Sequence, residues 1–272
     1  MLIIGKRRIT NPKQVRGLDC WYDANVGVFT TAAGTTQTAV NGVIGRWEDQ
    51  SGNGYHLTAP DANRPTLVNS VNSLRGVNFN GTNQYISAPN NSSARIDNGR
   101  MMYLFTVMKF NSYVATGLYY PISKSGGTAS ATSGSWWMRR WDNSATAGGV
   151  QGQLDMFWWT NGNWVLRSDA PYTNTNTTLF AYCFPQTQIR QTQAQWYTNG
   201  SLTKQLTISS NNAPSTQPQR LIFGAHHTTA SYTPTHFANA MLNEVLIYIR
   251  TQAMTQTEID AINRYLKTRW AL

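Results

Sequence analysis

A chain of 272 residues with 40% hydrophobic and 12% aromatic residues can pack one large β domain, while its 12% of charged residues is roughly half the usual share for a soluble domain. The net charge of +10 comes from 22 basic and 12 acidic residues, without the basic stripe interleaved with aromatics that nucleic-acid binding calls for, so no nucleic-acid partner is expected. No apolar run is long enough to span a bilayer, and the Met-Leu-Ile-Ile start is too short for a secretory core, so the expectation is synthesis in a cytosol and no membrane partner.

In chain order, the first feature is basic: Lys6, Arg7, Arg8, Lys13 and Arg16 crowd residues 1–16. This segment reads as an arm that either stays solvated or docks on an acidic protein surface, with residues 17–272 as a single domain. Cys20 and Cys183 lack metal-ligand or redox spacing and read as buried free thiols. Asn-Gly pairs at 41–42, 53–54, 80–81, 98–99, 161–162 and 199–200 predict hairpin turns, because both residues tolerate positive φ. Between them lie aromatic and β-branched runs: 77–79, 85–86, 103–108, 136–141, 154–159, 179–184, 195–197, 221–223 and 241–249. Many short strands with turn signals between them predict an all-β sandwich. Residues 111–135 and 142–152, rich in Gly, Ser, Ala and Thr, read as long loops. At the end, Thr255 and Glu258 form a capping box, and Ile259, Ile262, Leu266 and Trp270 line one face of the helix that follows.

Five stretches, taken together, resemble one family. Gly17 to Ala24 is similar to the opening strand of the laminin-G-like, concanavalin A-like jelly-roll domains. Trp47-Glu48-Asp49-Gln50-Ser51-Gly52-Asn53-Gly54 resembles their W-x-D-x-S-G-N-G turn, with Arg64-Pro65 following. Val77 to Ile86 resembles the V-x-F-D-G hairpin, Trp196 to Gly200 the Y-x-D/N-G hairpin, and Phe237 to Tyr248 the closing strand. The resemblance covers about residues 17–270 and implies a jelly-roll sandwich of two antiparallel sheets with a short C-terminal helix. Within it the turn after Trp47 is architectural: Asp49 and Ser51 cap the backbone while Gly52 and Gly54 supply positive φ. Some relatives hold calcium near such turns, which makes Asp49 the one metal candidate, although no dense set of oxygen ligands surrounds it in the sequence. No other cofactor is expected.

The fold houses glucanases, lectins and virion proteins, so function must come from residues. Hydrolysis of a glycoside needs two carboxylates flanking the bond. The glutamates are only Glu48, Glu244 and Glu258, and the glucanase E-x-D-x-x-E strand is missing, so no enzymatic activity is expected. Adjacent His226 and His227 have no partner at zinc-ligand spacing. A glycan-binding surface is the second reading, built from Trp137, Trp141, Trp159 and Trp164 with Asn161 and Asn163, Trp164 being the one expected to be exposed. The third reading is a virion surface protein, as a capsid decoration or a head or tail appendage. Its arm would anchor it to a virion structural protein through Lys6, Arg7, Arg8, Lys13 and Arg16, and its domain would adhere to cell-surface glycan. The expectation combines the last two, with a free-standing lectin module as the alternative.

Overall fold

The computed structural model describes residues 8–88, 94, 100–112, 118–125, 136–141, 152–160, 162–169, 171–184, 192–208, 219–227 and 233–272, with backbone alone at 158–160, 162–165, 192 and 208. The strands of the first half are β1 (Leu18–Asp23), β2 (Val28–Phe29), β3 (Arg46–Trp47), β4 (Leu57–Thr58), β5 (Thr66–Asn69), β6 (Arg75–Asn80), β7 (Ile86–Ser87), β8 (Met101–Phe110) and β9 (Tyr119–Ser125). Those of the second half are β10 (Trp136–Arg140), β11 (Leu154–Thr160), β12 (Gly162–Arg167), β13 (Thr178–Phe184), β14 (Thr192–Thr198), β15 (Ser201–Ile208), β16 (Arg220–Phe223), β17 (His226–His227), β18 (Pro234–Thr235) and β19 (Asn239–Arg250). The helix α1 (Gln256–Trp270) follows.

Among the described residues these strands form two large antiparallel sheets, the jelly-roll sandwich that the sequence predicts, and β17 and β18 pair as a separate two-stranded ribbon. One sheet has eight strands in the order β15-β14-β13-β8-β19-β6-β5, with β1 also pairing with β19. The other has nine, in the order β12-β11-β10-β9-β16-β7-β4-β3-β2. Between the sheets lies a core in which Tyr22, Trp47 and Phe223 meet edge to face, with ring centroids 5.1–5.8 Å apart. A second core lies on the far side of the eight-stranded sheet, under α1. This is why β8, β13 and β19 are apolar almost throughout: both of their faces are covered. The strand β10 has only one face on the core and alternates, with Trp136 fully buried and Trp137 partly exposed.

The capping box of α1 forms as expected, Thr255 Oγ1 accepting from the Glu258 N–H and the Glu258 carboxylate from the Thr255 N–H. Asn199 and Gly200 take φ values of 48° and 82° and join β14 to β15 in the expected two-residue hairpin. Asn80-Gly81 behaves differently. The chain leaves the eight-stranded sheet there and enters the other, with the Asn80 side chain accepting the N–H groups of Thr82, Asn83 and Gln84. Asn98-Gly99 and Asn161 lie outside the described residues. The expected loop 111–135 contains β9, at the middle of the nine-stranded sheet.

The turn after Trp47 is architectural. Asp49 accepts from the N–H groups of Trp21 at 2.9 Å, Ser51 at 2.9 Å and Tyr55 at 3.2 Å, and from the Ser51 hydroxyl at 2.7 Å. Gly52 and Gly54 have φ of 104° and 76°. The turn thereby pins β1 to the strands that follow it.

The basic N-terminal segment departs from the expected arm. Ile9 and Val15 are 4% and 2% exposed and belong to the core under α1. Asn11 and Gln14 close a capping box around a short turn, and the Tyr248 hydroxyl donates to the Pro12 carbonyl at 3.0 Å. Residues 9–15 therefore pack with the domain. Ile9, Pro12 and Val15 supply apolar surface that a solvated segment would not bury. Arg8, Lys13 and Arg16 are exposed on it, while Lys6 and Arg7 lie outside the described residues. Cys20 and Cys183 are buried free thiols, and burial pushes both thiols well up from their ordinary range.

The joint between sheet and helix is polar. A bulge in β19 leaves Asn243 unpaired with β8 and turns the fully buried Glu244 toward α1. The Glu244 carboxylate accepts from Trp21 Nε1 at 3.0 Å, Trp270 Nε1 at 2.7 Å and the Tyr265 hydroxyl at 3.2 Å. Asp23 stands opposite on β1, and Arg269 bridges the two acids, its Nε 3.2 Å from Glu244. Burial, then the nearby Asp23 charge, pushes Glu244 up to about 7.

Glu244→Leu leaves three donors without their acceptor and Arg269 with Asp23 alone, and is expected to cost about 3–5 kcal/mol in urea unfolding. Because the folded value lies above the 4.5 of a free glutamate, the folded chain holds a proton that the unfolded chain releases in this window. The wild type should therefore lose stability relative to Glu244→Gln as pH rises from 4.5 to about 7, and the gap should stay constant above that. For the turn, Asp49→Ala strands buried N–H groups and should cost about 2–3 kcal/mol, while calcium should leave the wild-type Tm unchanged.

Candidate functional site

The strand pattern that buries Trp136 sends Trp137 to the outer face of the nine-stranded sheet. There Trp137 stacks on Phe157 of the next strand, centroids 4.4 Å apart and planes within 7°. From the other side of β10, a bulge in the β9–β10 pairing brings Tyr120 within 6.1 Å of Trp137, edge to face. His226 of β17 completes the group, stacked on Tyr120 at 4.4 Å and edge-on to Trp137 at 4.8 Å, and His236 meets Tyr120 at 5.5 Å. Five rings from β9, β10, β11, β17 and the stretch after β18 thus make one aromatic cluster, in which Trp137 is partly exposed and His236 exposed while Tyr120, Phe157 and His226 are buried beside them.

Its edge is charged and rigid. Asp155 is fully buried and accepts from Arg139 at 2.9 and 3.2 Å, from Arg167 at 2.8 and 3.2 Å, and from Trp141 Nε1. The Arg139 guanidinium lies 4.2 Å from the Trp141 ring centroid and that of Arg167 lies 5.1 Å from it. One carboxylate therefore fixes two guanidiniums beside the rings, as bidentate pairing allows.

Burial lowers His226 to about 3, helped by the positive surroundings of His236, His227 and Arg139. His227 falls to about 4, from burial and then the charge of Arg220. Both imidazoles are neutral at pH 7. Trp137 Nε1 and both ring nitrogens of His226 are buried without a hydrogen-bond partner. Unsatisfied buried polar atoms are uncommon in folded chains and mark a place where a bound group would be welcome.

The predicted glycan residues divide. Trp137 lies at the centre of the aromatic face. Trp141 is 4% exposed, its ring covered by two guanidiniums and its N–H given to Asp155, so it braces the site from beneath instead of offering a platform. Trp159 pairs with Asn163 and Trp164 with Trp158, and Trp158 pairs in turn with the fully buried Trp136. Only the backbone is described at Trp159, Asn163 and Trp164, and Asn161 lies outside the described residues. The expected exposure of Trp164 therefore falls outside the described residues as well. Tyr120, Phe157, His226 and His236 were not predicted. Each comes from a different stretch, and their meeting depends on strand order.

The acids are committed elsewhere. Glu48 pairs with Arg46 at 3.1 Å, Glu258 caps α1 and pairs with Arg250 at 3.0 Å, and Glu244 holds the helix joint. No group of three or more His, Cys, Asp or Glu among the described residues is placed to hold a metal ion, and both oxygens of Asp49 are engaged by its turn.

No protein-family model and no curated protein matches the chain. Solved structures match it by fold. The binding domain of Paraclostridial mosquitocidal protein 1 superposes with a TM-score of 0.61 at 11% identity, over 93% of this chain and 52% of that one. The botulinum neurotoxin serotype D binding domain gives a TM-score of 0.59 at 11% identity, over the same 93% and 52%. Domain 4 of AbnA, a GH43 extracellular arabinanase from Geobacillus stearothermophilus, in complex with arabinotriose, gives 0.57 at 12% identity over 91% of this chain and 98% of that domain. The chain spans about half the length of the toxin binding domains, and at these identities it shares with all three the two-sheet jelly-roll fold.

Proposed function

We propose that this chain is a non-catalytic carbohydrate-binding module, and that it binds through the aromatic face around Trp137. The observation that carries this reading is the pairing of the partly exposed Trp137 ring, braced by the buried Phe157 and Tyr120, with unused polar atoms at Trp137 Nε1 and the neutral His226 nitrogens. Sugars need both. Their C–H faces pack on aromatic rings, and their hydroxyls need donors and acceptors held in place. Arg139 and Arg167, fixed by Asp155, give the rim further donors that lose little side-chain freedom on binding.

The matched structures support adhesion over hydrolysis. Two are binding domains of toxins, and the arabinanase domain, matched over nearly its whole length, was solved with arabinotriose. The three glutamates serve the scaffold, which also favours a binding role. The virion setting expected from the basic arm has less support: from Ile9 to Val15 that segment is built into the domain, and the structures named above come from toxins and a secreted glycosidase. A carbohydrate-binding module is therefore favoured over a virion protein.

Trp137→Ala should weaken binding of a glycan found on an array by about 1–3 kcal/mol, on the scale of base–aromatic stacking, and should lower Tm as well, because the ring packs on Phe157, Tyr120 and His226. Titration calorimetry of the two proteins checks this. Equal affinities would remove the aromatic face from the binding site.

A further inference from the structure

The basic residues of the N-terminal segment have no role in the aromatic face, which lies on the opposite sheet. They meet a second set of cations instead. Where residues 8–10 cross α1 they leave a groove of about 220 Å³, lined among others by Arg8, Ile9, Ala261, Arg264, Tyr265 and Arg269. Ile9 and Ala261, 4% and 2% exposed, form an apolar floor. The segment is held there by the Asn11–Gln14 capping box and by the Tyr248 hydroxyl on Pro12 O, so Arg8 is only a few residues from a fixed point. Arg264 is carried on a capped helix and is likewise placed in advance.

The charge of the groove is unbalanced. None of its lining residues is acidic. Arg269 is satisfied by Asp23 and Glu244. Arg8 and Arg264 have no ion-pair or hydrogen-bond partner among the described residues. Two guanidiniums drawn into one groove repel each other, and an oxyanion between them relieves that repulsion. Planar guanidinium forks suit carboxylate and sulfate, which accept two parallel N–H bonds. Beside this cationic rim, the apolar floor and the Tyr265 ring suit the C–H face of a sugar ring.

We infer that this groove is a second binding site, for the carboxylate- or sulfate-bearing unit of an acidic saccharide. Naming a saccharide rests on the carbohydrate-binding reading above; the anion preference rests on the groove itself. The two sites lie on opposite sides of the sandwich, so one domain can hold two parts of a glycan layer.

The test uses the full chain, a sulfated tetrasaccharide and the same tetrasaccharide without sulfate, measured by calorimetry at 50 and 300 mM salt. The wild type and Trp137→Ala should bind the sulfated probe more tightly than the unsulfated one. That preference should fall at least tenfold in Arg8→Gln/Arg264→Gln and shrink at high salt. A double variant that keeps the full preference overturns the groove assignment. Arginine-dependent binding to phosphatidylcholine vesicles containing phosphatidylinositol 4-phosphate, without binding to the sulfated saccharide, overturns it in favour of a lipid headgroup. Neutral-glycan binding that ignores Trp137 would instead overturn the aromatic-face reading and leave the arginine result standing.

Discussion

One buried carboxylate joins the two halves of the molecule. Glu244 lies on the central strand of the eight-stranded sheet, and its oxygens are taken by Trp21 from β1 and by Tyr265 and Trp270 from α1. An unpaired charge at that depth would be intolerable. Here the acid is surrounded by donors from β1 and α1, and Arg269 ties it to Asp23. The arrangement specifies where the helix must end on the sheet, which apolar contacts alone would leave loosely defined. Much else depends on that docking. With α1 in place, the apolar outer faces of β8, β13 and β19 are covered. The same docking gives Ile9 and Val15 a surface to pack on, and it sets one wall of the basic groove.

How much of this could be read from the chain depends on the range of the interaction. Local rules were reliable. The capping box at Thr255, the Asn199-Gly200 hairpin and the alternation at Trp136-Trp137 each involve residues within a few positions, and each took the predicted form. The turn around Asp49 was also legible, because its Ser, Asn and Gly residues have few other uses in that order. Strand β9 was missed because Pro121 interrupts an otherwise short apolar run and flanking Gly- and Ser-rich stretches dominate the composition. The packing of residues 9–15 was hidden for a related reason. Ile9 and Val15 are separated by polar residues, and nothing local announces that a helix from the far end of the chain will cover them.

The aromatic face shows the same limit at the level of function. Trp137 could be picked out, since one ring of an adjacent pair must leave the core. Its companions could not. Tyr120, Phe157 and His226 converge because β9, β10 and β11 are neighbours and because a bulge re-aims the β9 side of the pairing. Trp141 looked like a platform by composition, but its N–H found the buried Asp155 and its ring became the seat of two guanidiniums. Register carries this information, and register emerges only when the sheets close.

The two cysteines have a practical corollary. Cys20 is fully buried and Cys183 is 5% exposed, and burial keeps both in the protonated form. Thiolate is the species that attacks an electrophile, so neither native sulfur competes for a maleimide at neutral pH. A single cysteine placed on the rim of either face would then be the one reactive thiol on the folded protein. Fluorophores could be installed on the wild-type background, with both natural residues kept in the core.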